Sequence, residues 1–172
     1  VTNDKKHADY MKFLSTQAKD SKPFYHHTEI GYNYRMSNVL AAIGVGQMED
    51  IEERIKRTRE VNQIYRKEVG DLFYSFQEER ETDRSNMWLT CALMKGEDKP
   101  EDLIAHLEKD NIEARRLWKP MHEQPVMKSY TKYINGNSSL LFLQGICLPS
   151  GSDLTKQDMK RIIKSIKTFF KK

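Results

Sequence analysis

The chain has 172 residues, 38% hydrophobic and 31% charged, which is enough apolar material for one domain's core beneath a heavily solvated surface. The net charge is only +4, with acids and bases interleaved as in Glu52-Glu53-Arg54-Ile55-Lys56-Arg57, which argues against a nucleic-acid partner. The apolar runs are far too short to span a membrane and no signal peptide is visible, so a cytoplasmic protein is expected, with Cys91 and Cys147 read as small buried residues and not as a disulfide or metal pair.

Val1 is not a start methionine, and Thr2-Asn3-Asp4 reads as the cap of a helix that follows something absent. Either a tag has been removed or the chain is a piece of a longer protein. Residues 4–18 fit a helix with Ala8, Met11, Phe13 and Leu14 as apolar contacts, and residues 19–36 a loop containing Pro23 and Gly31. Ser37 is a good N-cap for a long helix running to Gly70, its natural stop, with apolar positions Met48, Ile51, Ile55, Val61, Ile64 and Tyr65 and a kink expected near Gly46. Ala41, Ala42, Gly44 and Gly46 let this helix approach another backbone closely. The two helical glycines cost roughly 1 kcal/mol each relative to alanine, so tight packing is expected to offset them.

Residues 71–86 are polar and give the weakest signal, whereas Met87 to Met94 reads as a strand buried on both faces. Pro100 opens a helix at its first position, where the missing N–H costs nothing, with Leu103, Ile104 and Leu107 as its buried stripe. Asn111 stands where a left-handed residue ends helices. Ile112 to Leu117 reads as a second strand, residues 118–137 as a loop with short helical pieces, residues 138–144 as helical, and Ile146 to Leu148 as a short buried strand. Thr155 and Asp158 form a capping box for a last helix whose face is Met159, Ile162, Ile163, Ile166, Phe169 and Phe170. The predicted tail is a small α/β lobe of three strands with helices on one face.

No Gly-rich phosphate loop follows a strand, and no HExxH, CxxC or nucleophile elbow is present. Adjacent His26 and His27 are poorly placed to chelate one ion. Two clusters remain. Tyr25, His27, Asn33 and Arg35 sit ahead of a helix start, where an amide, a guanidinium and the helix N-terminus suit an anion. The same residues serve equally as a structural loop, with Arg35 bonding loop carbonyls. Arg115, Trp118, Lys119 and His122, around Pro120, offer an aromatic face, two cations and an imidazole on a long loop of the kind that often binds ligands. Alternatively, Trp118 packs under the lobe and the cations are solvated.

These segments resemble the DegT/StrS family of sugar aminotransferases. Gly31-Tyr32-Asn33-Tyr34-Arg35-Met36-Ser37, with Ala41-Ala42 and Gln47-Met48, is similar to its G-x-N-x-R-M/L…A-A…Q-L/M signature. Ile112 to Arg115, then Trp118 to Pro125, is similar to its Gly-Ile-x-x-Arg and Pro-Leu-His-x-Gln-Pro segments; Cys147-Leu148-Pro149 with Leu154-Thr155 is similar to its closing L-P-x-x-x-x-L-T. Asn111 stands for the usual Gly, and Glu123 for a residue often apolar. Trp118 in this setting looks most like members acting on UDP-linked 4-keto-6-deoxy sugars in bacterial glycan pathways.

The resemblance implies an α/β fold: the C-terminal part of a fold-type-I aminotransferase using pyridoxal phosphate (PLP), with a long connecting helix and a small α/β lobe. Residues 1–48 would be a remnant of the large cofactor domain with its dimer-interface loop, 49–70 the connecting helix, and 71–172 the small domain. It implies a homodimer, a nucleotide-sugar substrate with glutamate as the usual donor, and Asn33 reaching the neighbouring subunit's PLP phosphate. Arg35, His122, Arg115 and Trp118 become the substrate-binding candidates. No lysine here matches the family's Schiff-base motif, which lies upstream of Val1, so residues 1–172 are not expected to transaminate alone. A sugar dehydratase of the same family and a non-catalytic binding or dimerisation module remain alternatives.

Overall fold

Asp4 accepts the His7 backbone N–H at 3.0 Å and so caps helix α1 (Lys5–Ser15). The computed structural model describes residues 2–171 and divides into two units, one ending at Asp50 and one beginning at Ile51. Helix α1 stops three residues short of the expected end, because Gln17 and Ala18 both take positive φ and turn the chain back. The loop that follows is tied to the helix end by backbone bonds. Tyr32 donates to the Leu14 carbonyl at 3.1 Å, Tyr34 to Ser15 at 3.0 Å, and Gln17 to Tyr32 at 3.1 Å.

Ser37 caps α2 (Asn38–Glu49) as expected, accepting from Leu40 N–H at 3.3 Å. The predicted single long helix is instead two: α2 ends at Glu49, Asp50 caps it, and α3 runs over Ile51–Val69, so the break lies beyond the glycines and not at Gly46. The close approach expected of the small residues is not made among the described residues. A Cβ on Gly44 or Gly46 would meet nothing within 4 Å, and Val39, Leu40, Ile43, Val45 and Met48 are all exposed.

In the unit from Ile51, the sheet has four strands, not three, in the order β1 (Ser75–Phe76), β2 (Thr90–Leu93), β4 (Gly145–Leu148), β3 (Arg115–Arg116), all neighbours antiparallel. β4 is central and buried throughout. β2 alternates instead of burying both faces: Thr90 and Ala92 point into the core, while Cys91 and Leu93 are half-buried on the other side. Met87 has φ 49°, a left-handed turn just before β2, and Trp88 beside it is exposed.

Val61, Tyr65 and Val69 of α3, Leu103 and Leu107 of α4 (Pro100–Lys109), and Met159, Ile162, Ile163, Ile166 and Phe169 of α6 (Lys156–Phe169) close one core with Ala92, Ile146 and Leu148. The helix signals hold in detail: Pro100 stands in the first turn, Asn111 has φ 53°, and Thr155 and Asp158 form the reciprocal capping box. A fifth helix, α5 (Asn137–Gln144), leads directly into β4. Polar pins complete the core. Tyr65 Oη donates to the Pro149 carbonyl at 2.8 Å, burial pushing its pKa up, and Asn62 Nδ2 reaches Thr90 Oγ1 at 3.3 Å.

The weak segment 71–86 contains β1 and is ordered by charge. Arg59 grips Glu79 with two parallel bonds of 2.8 Å, and the Ser85 N–H also donates to Glu79. Arg59 first, then Ser85, pull the Glu79 pKa from 4.5 to about 2. Unfolded, Glu79 regains an ordinary pKa, so this contribution is present above pH 4.5 and fades as pH falls toward 2. Glu79→Gln should therefore narrow the stability gap between neutral and acid pH, measured by urea titration through tryptophan emission. An unchanged acid dependence would show that other carboxylates set it.

Candidate functional site

The first cluster is built on a forced turn. Gly31 lies against the end of α1, where an added Cβ would stand 2.5 Å from Ala18 N and 2.7 Å from the Leu14 carbonyl oxygen. Both are backbone atoms and cannot swing away. Gly31→Ala should cost on the order of 1–3 kcal/mol and loosen this loop, seen as faster amide exchange at Tyr32 and Tyr34. Unchanged exchange would show that the turn tolerates a side chain.

Beyond Gly31, Asn33 forms an antiparallel bridge with Thr16. Its Oδ1 accepts the Arg35 N–H at 3.4 Å, which leaves the Nδ2 hydrogens without a partner among the described residues. The Arg35 guanidinium, expected on the structural reading to bond loop carbonyls, makes no such bond among them and is exposed. Asn33 and Arg35 thus stand solvent-facing within four residues of the Ser37 cap. His27 is committed elsewhere: its Nδ1 lies 3.0 Å from the Gln17 carbonyl, and its ring stacks on Tyr25. His26 pairs with Asp20 at 2.6 Å, a bond that lowers the Asp20 pKa, with Thr28 also donating to that carboxylate. These histidines shape the loop, and no metal-holding group of three or more ligands occurs among the described residues.

Among the described residues, the members of the second cluster make no hydrogen bond, ion pair or ring contact with one another. Arg115 pairs with Glu113 at 2.6 Å on the surface. Trp118 meets Trp88 with ring centroids 6.4 Å apart, both exposed, so it does not pack under the lobe. His122 is mostly covered; its Nε2 lies 3.2 Å from Ser139 Oγ on α5, and Ser139 donates to Glu123. The ring borders a hollow of about 390 Å³ that Met127, Tyr130, Tyr133 and Ile134 also line. Arg116 is structural: it binds Glu101 and the Phe142 carbonyl and lies 4.3 Å over the Phe142 ring.

Sequence reasoning missed Trp88, Ser139 and Glu123. Glu123 was visible as a departure from the family pattern, and a carboxylate beside a histidine is a signal that the ring is being oriented. Trp88 was hidden by reading residues 87–94 as doubly buried.

With this geometry in hand, comparison with known proteins is decisive about kinship. Residues 1–167 match the DegT/DnrJ/EryC1/StrS aminotransferase family. The chain is 37% identical over 99% of its length to EpsN of Bacillus subtilis (strain 168), of which it covers 45%. It is 33% identical over 99% of its length to the GDP-perosamine synthase of Escherichia coli O157:H7, covering 46% of it. Helicobacter pylori PseC, an aminotransferase involved in the biosynthesis of pseudoaminic acid, shares the fold with a TM-score of 0.81 at 20% identity, over 99% of this chain and 48% of that one. The chain spans about half the length of these relatives. By the extent of the family match and by identity to its relatives, the chain belongs to the DegT/DnrJ/EryC1/StrS aminotransferase family.

Proposed function

We propose that this chain is the C-terminal portion of a PLP-dependent enzyme that transfers an amino group from glutamate to a nucleotide-linked 4-keto-6-deoxy sugar, working as a homodimer. The observation that supports it best is Asn33: an amide held by its backbone bridge to Thr16, with free Nδ2 hydrogens facing solvent. That donor set fits a phosphate oxygen, with Arg35 adding charge nearby. Asn33 would hold the PLP phosphate of the partner subunit. PLP, when bound, supplies the electron sink for proton transfer at the amino-bearing carbon. The lysine that carries PLP has no counterpart here, so residues 1–172 would not catalyse the reaction alone.

The exposed apolar side chains all round α2 support a dimer or large-domain contact, and the division near Asp50 is consistent with residues 1–48 belonging to the large domain. His122, held by Ser139, would donate to or accept from a sugar or phosphate oxygen in its hollow, and Trp118 with Trp88 would stack on the base. Arg115 would contribute long-range charge.

The test uses the intact protein with PLP, glutamate and a UDP-linked 4-keto-6-deoxy sugar, with the GDP-linked sugar alongside. The expected product is the amino sugar, read by mass spectrometry. Loss of water with no gain of nitrogen, or no product from either nucleotide once PLP is bound, would overturn amino transfer. A GDP preference would correct the nucleotide alone.

A further inference from the structure

The antiparallel register sets Cys91 of β2 directly opposite Cys147 of β4. Cys91 turns its backbone away from β4: its N–H donates to Gln77 Oε1 at 3.0 Å and its carbonyl accepts the Gln77 N–H at 3.0 Å. The facing pair is therefore non-hydrogen-bonded, the arrangement in which opposed Cα atoms come closest, about 4.5 Å, with side chains leaving on the same face. That separation falls within the roughly 4.4–6.8 Å that a disulfide spans. The two sulfurs are 3.6 Å apart, and both are free thiols. Cys91 is half-buried and Cys147 buried. Arg115 is the β3 residue opposite Cys147. The Cys91 S–H and the Arg115 charge hold the Cys147 thiol below its ordinary pKa, while the same hydrogen bond and burial push Cys91 up.

We propose that Cys91 and Cys147 are a redox modification site that closes to a reversible cross-strand disulfide on exposure to a peroxide. The Cys147 sulfur attacks one peroxide oxygen; the O–O bond breaks and the leaving hydroxide takes a proton to become water. The Cys91 sulfur then attacks the resulting sulfenic acid. The S–S bond forms, the S–O bond breaks, and the hydroxyl leaves as a second water with the Cys91 proton. Two thiols lose two electrons in all, and one peroxide becomes two waters. A dithiol reverses the step by thiol–disulfide exchange.

The test treats the intact protein with hydrogen peroxide, alkylates remaining thiols and digests with trypsin without reduction. Peptides 85–95 and 133–156 should leave the alkylated pool and appear as one species, lighter by two hydrogens than the sum of the two. Dithiothreitol before alkylation should return both. In Cys91→Ser the sulfenic acid at Cys147 should persist and be trapped by dimedone, since its resolving thiol is gone. Full alkylation of both cysteines after peroxide, over-oxidation of Cys147 with Cys91 still free, or linkage of either to another thiol would overturn the proposal.

Discussion

Leu107→Ala should lower the unfolding free energy of the unit beginning at Ile51 by about 2–5 kcal/mol. Leu107 is fully buried on α4 and belongs to the cluster that holds Leu103, Ile112, Ile166 and Phe169. Its carbonyl accepts the N–H groups of Asp110 and Ile112 at 3.0 Å, and alanine keeps both bonds, so the loss isolates the side chain. The only two tryptophans, Trp88 and Trp118, lie in this unit, so their emission during urea unfolding reports on it alone. Leu140→Ala is the control. Leu140 is half exposed on α5, and its truncation should stay within about 0.5 kcal/mol. Equal urea midpoints for the two variants would remove α4 from the core.

Asn33→Ala in the intact enzyme should weaken PLP binding roughly 10- to 100-fold. A hydrogen bond from the amide to a charged phosphate is worth about 1.5–3 kcal/mol, which that range reflects. Asn33→Asp should be worse, because it places a negative charge against the phosphate. The bridge to Thr16 is made by backbone, so both variants should keep the loop, although in the alanine variant the Arg35 N–H loses its acceptor. Titrating apoenzyme with PLP by absorbance measures the effect, and amide exchange at Tyr34 checks the loop. Wild-type affinity in Asn33→Ala with an intact loop would sink the phosphate role while leaving family membership untouched.

Local codes were legible in the chain itself. Ser37, Pro100, Asn111 and the Thr155–Asp158 box each act on backbone groups within a few residues, so their outcomes follow from sequence neighbours alone. The α6 face is equally readable, since helical spacing places Met159, Ile162, Ile163 and Ile166 together whatever they pack against. Readings that needed a distant partner fared worse. β1 went unseen because two residues in a polar stretch carry no periodicity, and its order depends on Arg59 gripping Glu79 from twenty positions away. Arg115, Trp118 and His122 lie close along the chain, and the fold alone shows which neighbour each one meets: Glu113, Trp88 and Ser139 respectively.

The order of motifs along the chain determined kinship, and the caps and apolar faces determined most helices, because these are properties of short windows. Tertiary structure alone decided which thiol faces which, that Arg116 is held inside while Arg115 is left outside, and that Asn33 keeps two amide hydrogens unengaged. Those outcomes depend on strand register and on chain turns such as the one at Gly31. Sliding a strand by one residue would send each side chain to the opposite face while leaving every local preference satisfied.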